Sequence, residues 1–172
     1  MKKFLFLFVT VVCVALSGCK EDMKLPEYIQ IDGIVYKFLD NLNLEVSQIN
    51  VATPTQYKGD IVVSSSVYTL TISQASEVVG VGESAFYNCT ELTSVSFPAT
   101  INYVSKAAFA NCTALQSITI RSLEPPTIDP TAFDGCDTEK ITLYVFLESV
   151  DAYKLNKVWG KLNVKPYPLE DA

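Results

Sequence analysis

Three stretches of this chain are versions of one segment, and they constrain the fold more than any other feature. They read Ala85-Phe86-Tyr87-Asn88-Cys89, Ala108-Phe109-Ala110-Asn111-Cys112 and Ala132-Phe133-Asp134-Gly135-Cys136. The phenylalanine recurs after 23 residues and then after 24. The first two blocks run on into Leu92-Thr93-Ser94-Val95-Ser96-Phe97 and Leu115-Gln116-Ser117-Ile118-Thr119-Ile120, an L-x-x-L-x-L pattern. Side chains alternate along a strand, so Leu92, Val95 and Phe97 are expected inside, as are Leu115, Ile118 and Ile120. A unit this short cannot bury its own apolar face, so successive units must stack into a solenoid. Asn88, Asn111 and Gly135 share one position, and interchange of Asn with Gly points to a residue with positive φ. The third unit slips in register. Leu143 follows Cys136 by seven residues where Val95 follows Cys89 by six, which places one added residue near Lys140.

The pattern and period are those of a leucine-rich repeat. The blocks closely resemble the BspA-like leucine-rich repeats of surface proteins from anaerobic bacteria, and the resemblance covers about residues 31–166. Gly33-Ile34-Val35-Tyr36, Tyr57 to Val63, Leu143-Tyr144-Val145 and Val150-Asp151-Ala152-Tyr153-Lys154 look like that family's lead-in and closing segments. Phe146 departs from it, standing where the family usually carries proline. The resemblance implies a mainly β protein, a short leucine-rich-repeat solenoid with a cap at each end. It also implies action by adhesion, without naming a ligand.

The expected organisation follows from the chain order. Asp32-Gly33 between alternating apolar runs signals a hairpin of Tyr28–Ile31 with Ile34–Phe38. Asp40 to Asn43 reads as a turn leading into Leu44-Glu45-Val46, Thr53 to Tyr57 as a polar loop, and 61–63 and 68–72 as strands. Residues 26–75 are therefore expected to form a β-rich N-terminal cap covering the exposed edge of the first repeat strand. Residues 76–145 hold the repeats. In 146–168, the expected C-terminal cap, Ser149 is placed to cap a short helix from Val150, with Val150, Tyr153, Val158 and Trp159 as core contacts.

The N-terminus reads as a leader. Met1-Lys2-Lys3 precedes a twelve-residue apolar region, Phe4 to Ala15, too short a run for a stable membrane span. Leu16-Ser17-Gly18-Cys19 looks like a bacterial lipobox, implying that 1–18 is a signal peptide and that Cys19 is acylated. Several acyl chains hold a protein at a membrane where one does not. Lys20, Glu21 and Asp22 resemble a Bacteroidetes-type export signal, so 19–25 is expected to be a tether on the outward side of the outer membrane.

Several chemistries are disfavoured. The chain has no histidine, which removes Ser-His and Cys-His pairs and histidine-containing metal sites. Its net charge is −6, and loss of a leader containing Lys2 and Lys3 makes it −8, with no basic cluster to hold nucleic acid. Cys89, Cys112 and Cys136 fall at one repeat position, where parallel side chains favour a ladder of buried thiols over disulfides or a tetrahedral metal site. Gly80-Val81-Gly82-Glu83-Ser84-Ala85 matches G-x-G-x-x-A but lacks the later acidic residue and the βαβ setting of a dinucleotide site. The sequons at Asn88 and Asn111 coincide with the repeat, and Glu91, Asp129 and Asp134 are scattered rather than paired as a glycosidase requires. No catalytic, cofactor or metal residues are therefore assigned.

The outward strand positions remain. Thr93, Ser94, Ser96, Gln116, Ser117, Thr119, Arg121, Thr142 and Tyr144 form the candidate ligand face. The expected function is non-enzymatic binding of an extracellular protein, or adhesion. The alternative is capture of an oligosaccharide on that polar strand face.

Overall fold

The computed structural model of the protein describes residues 26–39, 42–49, 57–69 and 74–168. Cys19, Lys20, Glu21 and Asp22 lie outside them, as do Asp40, Asn41, residues 53–56 and residues 70–72 of the expected turn, loop and strand. Among the described residues no helix is long and apolar enough to cross a membrane.

The repeat pattern winds the chain between two sheets. The first is ordered β1 (Tyr28–Ile31), β2 (Ile34–Phe38), β3 (Leu44–Ser47), β6 (Gln74–Val81), β8 (Tyr103–Val104) and β10 (Thr127–Ile128), with β5 (Ser66–Thr69) also paired to β6. The second is ordered β12 (Asn163–Pro166), β11 (Thr142–Val145), β9 (Ser117–Ile120), β7 (Glu91–Phe97) and β4 (Lys58–Val62), and it is parallel throughout. A helix, α1 (Val150–Leu155), follows β11. The described residues are thus mainly β, with one short α-helix among them near the C-terminus, as the repeat demanded.

The Ala-Phe-x-x-Cys blocks are the corners between the sheets. Each corner bonds to the next. Phe86 N–H donates to Ala108 O and Phe109 N–H to Ala132 O, both at 2.8 Å, and Asn88 and Asn111 repeat the link to Ala110 and Asp134. The position shared by Asn88, Asn111 and Gly135 has φ of 59°, 62° and 77°, the left-handed conformation expected. A second left-handed position was not foreseen: Ser84 at 57° and Ala107 at 52°.

Inside, the rings form one column. Phe86 and Phe109 stack at 5.0 Å between centroids with planes 7° apart, and Phe109 and Phe133 at 5.3 Å and 12°. Tyr57 begins the column, 5.0 Å from Phe86, and Trp159 ends it edge-on, 5.8 Å from Phe133. The cysteines run alongside. Each thiol bonds to the backbone of the ring residue one coil back, Cys89 to Tyr57, Cys112 to Phe86 and Cys136 to Phe109, the last two at 3.0 Å. All three are free thiols, and burial pushes each of them up from its ordinary pKa.

The two ends differ from expectation in instructive ways. The hairpin and β3 extend the first sheet beyond β6 on its N-terminal side, but β4 already belongs to the second sheet and pairs parallel with β7. The parallel ladder therefore starts within the stretch expected to be cap, and the cap leaves the second sheet's edge open among the described residues. At the other end, 146–168 supplies β12 as a fifth strand beyond β11. The helix does begin at Val150, yet Ser149 does not cap it. Its hydroxyl turns back to donate to Phe146 O at 3.1 Å. Trp159 sits in a separate 3-10 turn, Trp159–Lys161, entered through Asn156, whose Oδ1 accepts the Val158 and Trp159 amides. It is fully buried, and its Nε1–H donates to Pro126 O at 2.9 Å.

Candidate ligand-binding face

The parallel register of the second sheet places outward side chains in rows. One row runs Asp60, Ser94, Ser117, Thr142 and Asn163. The next runs Val62, Ser96, Thr119, Tyr144 and Lys165. Between these rows point Val95, Ile118 and Leu143, all buried in the core. Leu92, Phe97, Leu115 and Ile120 are buried too, so the expected inward set is inward throughout.

A further row lies one residue past the strand ends. Arg121 N–H donates to Phe97 O at 3.3 Å and Tyr167 N–H to Val145 O at 2.7 Å, so the ladder continues beyond β9 and β12. Phe146 follows β11 at the same level. Phe146 is 41% exposed and Tyr167 45%, giving this end of the face two open rings beside the exposed Arg121.

The structure thus gathers Ser94, Ser96, Ser117, Thr119, Thr142 and Tyr144 onto one surface, with Arg121 at its margin. Gln116 and Thr93 stand at the opposite margin, tied by Gln116 N–H donating to Thr93 O at 2.9 Å. A shallow depression of about 230 Å³ opens beside Gln116, bounded by Thr113, Ala114 and the Asp137–Lys140 ion pair.

Two of the expected residues are already engaged. Asp60 Oδ1 accepts from Ser94 Oγ at 2.6 Å and from Thr93 Oγ1 at 2.9 Å. Those bonds, Ser94's first, hold the Asp60 carboxyl below its ordinary pKa. A β-bulge at Gly59/Asp60 leaves Thr93 without a partner position on β4 and lets the carboxylate reach both hydroxyls. Lys58 and Glu91 close this margin with an exposed ion pair at 2.7 Å.

Sequence reasoning missed Asp60, Val62, Phe146, Asn163, Lys165 and Tyr167 as members of the face. The alternation in Asn163-Val164-Lys165 was the available signal, but no Ala-Phe-x-x-Cys block precedes it. Even with five strands at about 4.8 Å, the sheet spans only ~19 Å. That is small beside the ~800 Å² per partner of a standard protein interface.

The other chemistry-bearing groups have local roles. A side chain at Gly80 would run into the Tyr103 ring, and Gly82 backs onto Glu45, so these glycines serve packing. Asp129 accepts the Thr131 amide at 2.8 Å and its hydroxyl at 2.6 Å, Glu91 pairs with Lys58, and Asp134 O accepts the Asn111 amide. Among the described residues no three His, Cys, Asp or Glu side chains converge as a metal site would require.

Comparison with known proteins agrees with this architecture. The family described as BspA type leucine rich repeat region matches residues 36–160 in six copies. A leucine-rich cell surface protein from Faecalibacterium prausnitzii A2-165 superimposes with a TM-score of 0.52 at 20% identity, covering 75% of this chain and 35% of that one. A leucine-rich repeat protein from Bacteroides capillosus ATCC 29799 gives 0.49 at 17% identity, covering 70% of this chain and 99% of that one. One from Bacteroides ovatus ATCC 8483 gives 0.49 at 23%, covering 69% and 37%. This chain therefore spans about a third of the Faecalibacterium and B. ovatus proteins. No curated protein matches.

Proposed function

The chain belongs to the BspA-type leucine-rich repeat family, and from that premise we propose that it is a non-catalytic cell-surface protein that binds an extracellular protein through the outer face of its second sheet. The observation that carries this reading is the set of in-register outward rows, hydroxyls in the middle and Tyr144, Phe146, Tyr167 and Arg121 at one end. Tyrosine and arginine are the residues that most often carry binding energy at protein surfaces, and repeat proteins commonly present ligands on a stacked-strand face. The cell-surface description of the Faecalibacterium protein supports the location. In this reading Cys19 is acylated, holding the protein to the outer membrane, and Lys20, Glu21 and Asp22 direct it outward.

The small span of the face favours a second reading, capture of an oligosaccharide, because a few sugar units fit where a whole protein interface does not. One experiment separates them: the purified protein is screened against a glycan array and against a panel of matrix proteins. Tyr144→Ala and Gln116→Ala should weaken whichever binding is found while leaving the urea midpoint nearly unchanged. Binding that survives both substitutions assigns the face to scaffold. Mass spectrometry of the mature N-terminus tests the anchor, which an unmodified Cys19 or a later start would disprove. Protease shaving of intact cells tests the orientation, and exposure should fall when Lys20, Glu21 and Asp22 are replaced by alanine.

A further inference from the structure

We infer that the open edge of β4 is a docking strand for an extended peptide of a partner protein carrying a lysine or arginine. This edge site adjoins the outer face and shares Asp60 and Val62 with it, whereas Gln116 and Tyr144 belong to the face alone, so substitutions at those two positions separate the two readings. In the sheet order β4 is terminal, paired with β7 on one side and with no strand on the other among the described residues. Val63 N–H points toward β7, donating to Ser96 O at 2.9 Å. Neighbouring residues of a strand present their peptide groups to opposite sides, so Val62 and Asp60 turn theirs away from the sheet. An unpaired row of this kind is a template for another strand.

Native edges are usually guarded, and here the guard is partial. Lys58, ion-paired to Glu91, flanks the start of β4, and at the far end the Tyr36 hydroxyl is hydrogen-bonded to the Ser64 backbone. Among the described residues, Asp60 to Val62 is left open between them. That opening lies along a groove of about 280 Å³ whose other wall is built from the hairpin and from β5. Val62 is 71% exposed and Tyr68 is 60%, and both line the same groove. Unpaired peptide groups, exposed apolar side chains and a concave wall together suit a β-strand, which supplies main-chain bonds and alternate side chains for pockets.

Charge selects the occupant. Asp32 and Asp60 both line the groove, and among the described residues no lysine or arginine does. Asp60 keeps Oδ2 beyond the bonds its Oδ1 receives from Thr93 and Ser94. A basic side chain one or two positions along an added strand answers those carboxylates. A second copy of this chain does not, since edge-to-edge pairing would bring two Asp32 and two Asp60 together.

The test uses 15N-labelled protein and a panel of capped hexapeptides alternating valine and threonine with one lysine or arginine, beside the same panel carrying glutamate. The basic peptides should shift the amide resonances of Asp60 to Ser64 and bind about tenfold more tightly than the acidic ones. N-methylation of alternate peptide bonds in the ligand should abolish the shifts. Val62→Pro should abolish binding too, without moving the unfolding midpoint, because the amide it removes is outside the native ladder. Asp32→Asn should erase much of the preference for lysine over glutamate. No shift at residues 60–64 with any peptide overturns the inference, as does binding that tolerates ligand N-methylation or equal affinity for basic and acidic peptides. A concentration-dependent dimer that Val62→Pro dissolves would overturn it as well, by giving the edge to a second copy.

Discussion

Phe109→Ala is the sharpest probe of what holds the solenoid together. Phe109 is fully buried and is sandwiched between Phe86 and Phe133 at 5.0 and 5.3 Å, with Phe97 meeting it edge-on at 6.1 Å. Truncating a buried phenylalanine costs about 3–5 kcal/mol, because transferred surface is lost and a cavity remains. Stacked aromatic pairs add roughly 0.5–1.5 kcal/mol each beyond burial, and Phe109 makes two, so the upper half of that range is expected. With a urea m-value near ~2 kcal/mol/M, the midpoint should fall by about 2 M. The chain has one tryptophan, Trp159, at the end of the same column, so its fluorescence reports the transition without a label. Phe146→Ala, which removes an exposed ring, should move the midpoint hardly at all. A Phe109→Ala shift no larger than that of Phe146→Ala would refute the column as the source of stability. A cycle with Phe86→Ala should show a coupling of about 0.5–1.5 kcal/mol, since each ring's worth depends on the other.

Gly135→Ala should cost about 1–3 kcal/mol in the same titration, because φ is 77° and the new Cβ would meet the Asn111 side chain, whereas Asn88→Gly should be nearly neutral. A thiol reagent such as Ellman's should leave Cys89 and Cys112 unmodified in the folded protein at neutral pH, since both are buried and burial raises their pKa, and rapid native labelling would contradict that packing. Asp60 should titrate in a carbon-detected NMR experiment below the ~3.9 of a free aspartate. The bonds that lower its pKa stabilise the fold above that unfolded value and are lost as pH falls through the folded one. Ser94→Ala should raise the Asp60 midpoint, and an unchanged midpoint would mean the bond is absent in solution.

What was legible in the sequence is what repeats for a chemical reason. Phe86, Phe109 and Phe133 recur because rings stack, the cysteines because a small thiol reaches the backbone one coil back, and Asn88, Asn111 and Gly135 because the corner needs positive φ. Where another residue meets the same need, the signal vanished. Tyr57 begins the ring column with no block around it, and the left-handed Ser84 and Ala107 belong to residue types with no marked taste for that conformation. A strand at 61–63 was legible but its place in the second sheet as β4 was not, and β12 was not foreseen, so the face looked shorter by a strand at each end. The engagement of Thr93 and Ser94 was beyond local reading altogether, since their partner Asp60 lies more than 30 positions upstream and comes alongside only through the bulge.

The edge-on ring at the end of the column decides how such a molecule can change length. Phe133 offers its face to Phe109, but Trp159 meets its other side at 69°, and behind Trp159 stands Tyr153 at 62°. A new coil appended after Trp159 would find no parallel ring to continue. A coil inserted between Phe86 and Phe133 would find one on each side, together with a carbonyl waiting for its thiol and an amide for its corner. Duplication of internal segments is therefore tolerated where extension of the end is not, and size variants of this chain should differ in the number of middle coils while keeping the same terminal aromatic pair.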